Sequence, residues 1–281
     1  MNIIEIDDLS YSYPASRTRA LSEVNLAIKK GSFVTLTGPS GCGKTTLCRC
    51  INGLIPHFYG GRMEGEVLVS GLRVRDHEIS ELAKHVGFVF QNPENQLFAL
   101  SIEKDVAFGL ENLALPREEI RRRVKWALEV TGIEELKERA PYELSSGQQQ
   151  RAAIACVLAM RPEVVILDEP TSFLDPMAAM RLFQLIDRLN DELNLTIILV
   201  EHRLDLLSQY TDRVIVMDGG EVKLDGTPRE VFSSDEAELL GIGIPKVMRL
   251  YKALKRHGID LRGPPVSVED LAQCLREASI R

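Results

Sequence analysis

Apolar and polar positions along the chain repeat with two different periods. Short runs rich in β-branched residues recur at 3–6, 33–37, 66–69, 86–90, 164–167, 196–200, 214–217 and 222–224. Several are apolar almost throughout, as expected of strands covered on both faces of a sheet. Between them, apolar residues follow helical spacing over about 43–52, 117–131, 147–160, 176–190 and 246–257. Strands alternating with helices predict a largely parallel α/β sheet. The stretch 92–160 is too long and too helical for a simple crossover, so it reads as a helical subdomain inserted into the sheet domain. After Phe232 the strand signals stop. "GIGIPKV" and "GIDLRGPPVSVEDL" read as linkers around two short helices, the second opened by Ser267 with Glu269 and Asp270. The expected organisation is one domain over 1–232 and a short helical extension over 233–281.

Composition narrows the class. The 281 residues are 44% apolar and 27% charged, ordinary values for a soluble globular chain with room for one large domain and an appendage. A net charge of −7 argues against broad contact with a nucleic-acid backbone. No apolar run approaches the ~18 residues that span a bilayer. Residues 1–8 are acidic and lack the layout of a secretory signal. The five cysteines, Cys42, Cys48, Cys50, Cys156 and Cys274, are odd in number and include no CxxC pair. They read as reduced cysteines filling small apolar spaces, which points to the cytoplasm.

Chemistry enters with "TLTGPSGCGKTTL", which spells G-x-x-x-x-G-K-[ST] through Gly38, Gly43, Lys44 and Thr45. It lies between a predicted strand and a predicted helix, the context that motif requires. Its glycines let backbone N–H groups turn inward, and the helix N-terminus favours negative charge. Lys44 then reaches the β- and γ-phosphates, and Thr45 offers a hydroxyl to Mg²⁺. "EVVILDEP" adds an apolar run ending in Asp168 and Glu169. A buried strand with carboxylates at its C-terminal end stands where α/β sheets place ligands. Asp168 suits a Mg²⁺ shell, and Glu169 suits a general base for water.

"ELSSGQQQR", residues 143–151, opens another helix with Ser145, Ser146 and Gly147, a second anion-binding helix start about a hundred residues from the first. Either there are two ligands, or one nucleotide is shared between facing protomers. The stretch resembles the LSGGQ signature of ABC ATPases. The order of the remaining motifs over residues 1 to about 230 resembles that family too, including "SFLD" (172–175) and His202.

The resemblance implies a P-loop NTPase fold of the ABC ATPase type. That fold has a mostly parallel core sheet, an antiparallel β part, an inserted helical subdomain and, here, a short helical C-terminal extension. It implies ATP hydrolysis with Mg²⁺ in a head-to-tail dimer. Nucleotide would be bound by Tyr13, stacked on adenine, and by Gly38, Pro39, Ser40, Gly41, Cys42, Gly43, Lys44, Thr45 and Thr46. Ser145, Ser146, Gly147 and Gln148 of the other chain would cover it. Thr45, Gln91 and Asp168 would hold the metal. Glu169, His202, Gln91 and Lys44 would form the catalytic set, with His202 sensing the γ-phosphate and Asp175 coupling the two sites. Ser146 departs from the pattern, standing where the signature has its first glycine.

One stretch selects a branch of the family. In "GFVFQNPENQLFA" an apolar strand delivers Gln91, and Leu97 and Phe98 follow in a polar setting. With "LSIEKDVAFG" after it, this is similar to energy-coupling factor (ECF) transporter ATPases, including the cobalt and nickel uptake type. The implied function is the ATP-hydrolysing subunit of an ECF importer of a vitamin or transition-metal ion, peripheral on the cytoplasmic face of the membrane. Its implied partners are a second ATPase chain (a copy of itself or a paralogue), a transmembrane scaffold subunit and a membrane substrate-binding subunit, with no nucleic acid. Leu97 and Phe98 would face the scaffold or sit beneath its groove, or else pack inside the helical subdomain. The tail is similar to an extension that contributes to ATPase dimer contacts. An ATPase of an importer using a solute-binding protein is the alternative, though roughly 50 residues after Phe232 are too few for the β-rich domain of the sugar type. An ABC ATPase acting on nucleic acid or ribosomes would need a coiled-coil insertion, a second cassette or zinc cysteines, which the sequence lacks.

Overall fold

The computed structural model describes residues 1–259, 261 and 263–279. In chain order its strands are β1 (Asn2–Ser12), β2 (Leu21–Lys29), β3 (Phe33–Thr37), β4 (Arg62–Val69), β5 (Leu72–Arg73), β6 (Val86–Val89), β7 (Val164–Asp168), β8 (Thr196–Val200), β9 (Arg213–Asp218) and β10 (Glu221–Gly226). One sheet has the order β10-β9-β3-β8-β7-β6, parallel except for β10. A second, antiparallel sheet has the order β2-β1-β4-β5.

Every residue of β3, β7 and β8 is buried, because both faces of the parallel sheet are covered. Alternate side chains serve different cores. Val164, Ile166, Ile198 and Val200 pack with Leu47 and Ile51 of the P-loop helix Lys44–Ile51 and with the antiparallel sheet. Val165, Leu167, Ile197 and Leu199 pack on Phe183, Ile186 and Leu189 of the helix Pro176–Leu193. A third core joins Leu97, Ile102, Val106 and Leu110 to Val124 and Leu128, against Ala152, Ala155 and Ala159 of the helix Ser146–Ala159. The helix Ile102–Asn112 supplies part of that core and was not among the expected elements.

The strand β2 was also not expected. Its lower half alternates cleanly, with Val24, Leu26 and Ile28 inside. At Glu23 the backbone takes φ 50° and the register with β1 shifts, so Leu21 and Val24 are buried three residues apart. A bulge of this kind breaks the period of two that betrays a strand.

After Phe232 the chain packs back on the sheet domain, with Met248, Tyr251 and Leu271 joining Phe232 and Val214 and Val216 of β9. Ser267 accepts the N–H of Asp270 at 3.0 Å, as expected of the residue opening the helix Val268–Ser279. The expected linker ahead of it includes Asp260 and Arg262, which lie outside the described residues.

Close packing of β6 on the helix Ser146–Ala159 rests on Gly87. A Cβ there would stand 2.1 Å from Val157 Cγ1 and 3.2 Å from Pro162 Cγ. Gly87→Ala should therefore cost about 1–3 kcal/mol in urea denaturation through overpacking. The double variant Gly87→Ala/Val157→Ala should recover part of that loss; simple addition of the two losses would show that this contact does not limit the packing.

Candidate nucleotide site

The strand β3 ends at Thr37, and the chain turns through 38–43 into the P-loop helix. Gly38 has φ 144°, and a Cβ on it would meet Met217 O of β9 at 2.0 Å, so only glycine lets the loop pass. The buried ammonium of Lys44 donates to the carbonyls of Gly38 and Pro39, both at 2.9 Å, which fixes it across the mouth of the loop. The two threonines that follow divide their tasks. Thr45 Oγ1 donates to Asp168 Oδ1 at 3.2 Å, and Thr46 Oγ1 shares a hydrogen bond with Tyr13 OH at 3.1 Å.

Asp168 closes β7 as a buried carboxylate. Burial pushes its pKa above the ordinary 3.8, the Thr45 hydroxyl opposes that shift, and the neighbouring charge of Glu169 adds to it. Glu169 leaves the strand with φ 47°, a left-handed conformation uncommon outside glycine. The turn aims its side chain at three donors. Its Oε2 accepts Gln91 Nε2 at 2.9 Å and Ser172 Oγ at 3.2 Å, and its Oε1 lies 3.2 Å from His202 Nε2. Gln91 follows β6 and His202 follows β8, the two neighbours of β7 in the sheet. Gln91, Glu169 and His202, predicted separately, thus meet in one cluster.

On the other flank, Tyr13 stands edge-on to Tyr11 and Tyr59, with ring centroids 4.9 and 6.2 Å away. Arg49 donates to Tyr13 OH at 3.3 Å and lies 4.6 Å above the Tyr59 ring. Sequence reasoning missed Arg49 and Tyr59, and nothing in their local pattern marks them. It named Ser172 only within "SFLD", without foreseeing its bond to Glu169.

Ser145 to Gln148 sit elsewhere. Ser145 Oγ accepts Gln148 N–H at 3.4 Å while Gln148 Oε1 accepts Ser145 N–H at 2.9 Å, a reciprocal cap of an exposed helix start. Ser146 is the first residue of that helix and is not among the positive-φ residues, so its backbone does not call for glycine. These residues line a cavity of about 470 Å³ together with Asp175, which caps the helix Pro176–Leu193 through the N–H groups of Met177 and Ala178. Among the described residues no hydrogen bond joins 145–148 to the P-loop.

The expected pair Leu97 and Phe98 splits. Leu97 is buried in the helical core, which excludes the partner-facing place among those expected for it: the apolar helices around it claim the side chain. Phe98 is 67% exposed and edge-on to Phe108 at 4.8 Å. The buried carboxylate of Asp105 fixes this turn by accepting the N–H groups of Phe98 and Ala99 at 3.0 and 2.9 Å.

Residues 21–172 match the family model described as "ABC transporter". The chain belongs to the ABC transporter ATP-binding family. It is 46% identical over 278 residues to a Pyrococcus abyssi protein named "Putative ABC transporter ATP-binding protein", covering 99% of both chains. A Pyrococcus horikoshii protein of the same description is 44% identical, covering 100% of this chain and 99% of that one. Among solved structures, CbiO1 from Clostridium perfringens, described as part of the ABC transporter complex cbiONQ, has a TM-score of 0.77 and 38% identity over 92% of this chain and 97% of its own. The ATP-binding cassette MJ0796, solved as a dimer in a post-hydrolysis state with ADP and Pi, has a TM-score of 0.69 and 32% identity, covering 80% of this chain and 99% of its own. The P-loop NTPase fold and the enzyme class are thus those of an ABC ATPase, which binds and hydrolyses ATP.

The raised pKa of Asp168 in this ATPase has a consequence for stability. The folded chain holds a proton there more tightly than the unfolded chain, so stability from this group is full below the unfolded pKa and is lost as pH rises through the folded one. Ligand-free Asp168→Asn should accordingly melt higher than the parent at neutral pH, with the gap narrowing as pH falls through the titration of Asp168. A neutral-pH melt equal to or below the parent's would contradict this.

Proposed function

We propose that this ABC ATPase is the energy-providing subunit of an ECF-type importer, taking up a vitamin or transition-metal ion with a transmembrane scaffold and a membrane substrate-binding subunit. It works on the cytoplasmic face of the membrane as half of a head-to-tail dimer. Among the described residues no helix is long and apolar enough to cross a membrane itself. The observation that carries the ECF reading is the reach of the CbiO1 likeness. Coverage of 92% takes in part of the 49 residues after Phe232, whereas the MJ0796 match covers 80%. On this reading 1–232 is the hydrolysing unit and 233–281 an extension that supports dimer contacts.

In the proposed site, Lys44 and the amides of 38–46 hold the phosphates of ATP, with adenine on Tyr13. Thr45, Asp168 and Gln91 fit Mg²⁺: their donors are hard oxygens, and the Thr45 and Asp168 oxygens already converge to 3.2 Å. When bound, the ion spreads phosphate charge. Glu169 takes the proton of the attacking water, and Gln91, Ser172 and His202 keep its carboxylate aimed. Ser145, Ser146, Gly147 and Gln148 of the second chain close over the nucleotide, and Asp175 links the two sites.

The scaffold docks at the shallow cavity of about 320 Å³ beside Gln91, lined by Phe88, Phe90, Phe98, Phe108 and Met160. Exposed aromatic anchors in such grooves often contribute about 2 kcal/mol or more each. Phe98→Ala/Phe108→Ala should keep the ATPase rate of the isolated protein within a few-fold, yet lose copurification with a coexpressed ECF scaffold subunit. Intact assembly and vesicle uptake by this variant would count against the ECF reading.

A further inference from the structure

The segment 201–203, which carries His202, is pinned to the loop 169–175 at three points. His202 Nε2 lies 3.2 Å from Glu169 Oε1, Thr171 Oγ1 donates to Glu201 Oε2 at 2.5 Å, and Arg203 Nη1 donates to Leu174 O at 3.0 Å. The middle pin is unusual in kind. Glu201 is only 3% exposed, and among the described residues no Lys, Arg or His side chain forms an ion pair with it. Burying an unpaired carboxylate is costly, and its hydrogen bonds must offset that cost. Both oxygens are used: Oε1 accepts the N–H groups of His202 at 2.8 Å and Arg203 at 3.1 Å, while Oε2 takes the Thr171 hydroxyl.

Thr171 is fully buried, two residues after Glu169 and four before Asp175. The carboxylate therefore ties the backbone that carries the His202 ring to a fixed point in the loop that carries Glu169. We infer that Glu201 is a positioning residue for ATP hydrolysis, holding His202 in register with Glu169 through Thr171 and tying both to the Leu174–Asp175 turn. This rests on the proposed roles of Glu169 and His202. A shift of about 1 Å in a catalytic group costs on the order of 10²-fold in rate, and the pin prevents such a shift.

The test is a double-mutant cycle with His202→Ala, reading kcat and the Kd of a fluorescent ATP analogue. Glu201→Ala should lower kcat about 10²-fold with little change in Kd, and should add less than about two-fold in the His202→Ala background. Thr171→Val, nearly equal in volume, cuts only the side-chain link and should show the same non-additivity even if Glu201→Ala fails to fold. Glu201→Gln keeps an oxygen for the two amides and an N–H for the Thr171 hydroxyl, so it should retain kcat within a few-fold. Losses that multiply in the two backgrounds, or parental kcat in Thr171→Val, would overturn the inference alone. Parental kcat in His202→Ala would overturn the reading of the site beneath it, and the inference with it.

Discussion

Two adjacent carboxylates at the end of one buried strand impose the constraint that the rest of this molecule satisfies. Asp168 and Glu169 repel each other, and Asp168 is also starved of water. The chain separates them by sending one toward the P-loop and turning the other out of the sheet at φ 47°. Each then needs partners, and the strand order supplies them. With β7 between β6 and β8, Gln91 and His202 arrive from both sides, while β3, one strand further, brings Lys44 and Thr45. Parallel strands bring these C-terminal ends to a single edge, where α/β sheets bind their ligands.

The signature helix shows the complementary case of a motif that its own chain does not use up. Ser145 and Gln148 cap each other, and a Cβ on Gly147 would find its nearest neighbours, Ala178 Cβ and Leu174 Cδ2, at 3.9 and 4.0 Å. Among the described residues nothing demands glycine at 147, in contrast to Gly38. The proposed nucleotide shared between two copies would place any requirement for a small residue there outside the chain. Ser146 at the first helical position costs the fold nothing, which explains why the departure from two glycines is tolerated structurally.

What the sequence disclosed follows the range of the interactions. The P-loop, the strand-end carboxylates and the opening Ser267 are local patterns, and each lies where its spacing placed it. The strand β2 escaped because the bulge at Glu23 breaks its alternation. Leu97 and Phe98, adjacent and alike in composition, part company because helices 102–112 and 146–159 bury only the first. Arg49 on Tyr59, and Glu201 on Thr171 thirty residues away, are tertiary contacts with no local signature. A charged residue between an apolar run and a histidine, "LVEH", was the one available hint of Glu201.

Glu169 is the group on which the site converges, and its replacement by glutamine is the most direct measurement. Glu169→Gln keeps size and polarity but cannot take up a proton. Nucleotide affinity should stay within a few-fold while steady-state hydrolysis falls about 10²–10⁴-fold, the usual loss when a positioned base is removed. Turnover near the parental rate in the purified variant would contradict the assignment of this carboxylate as the base.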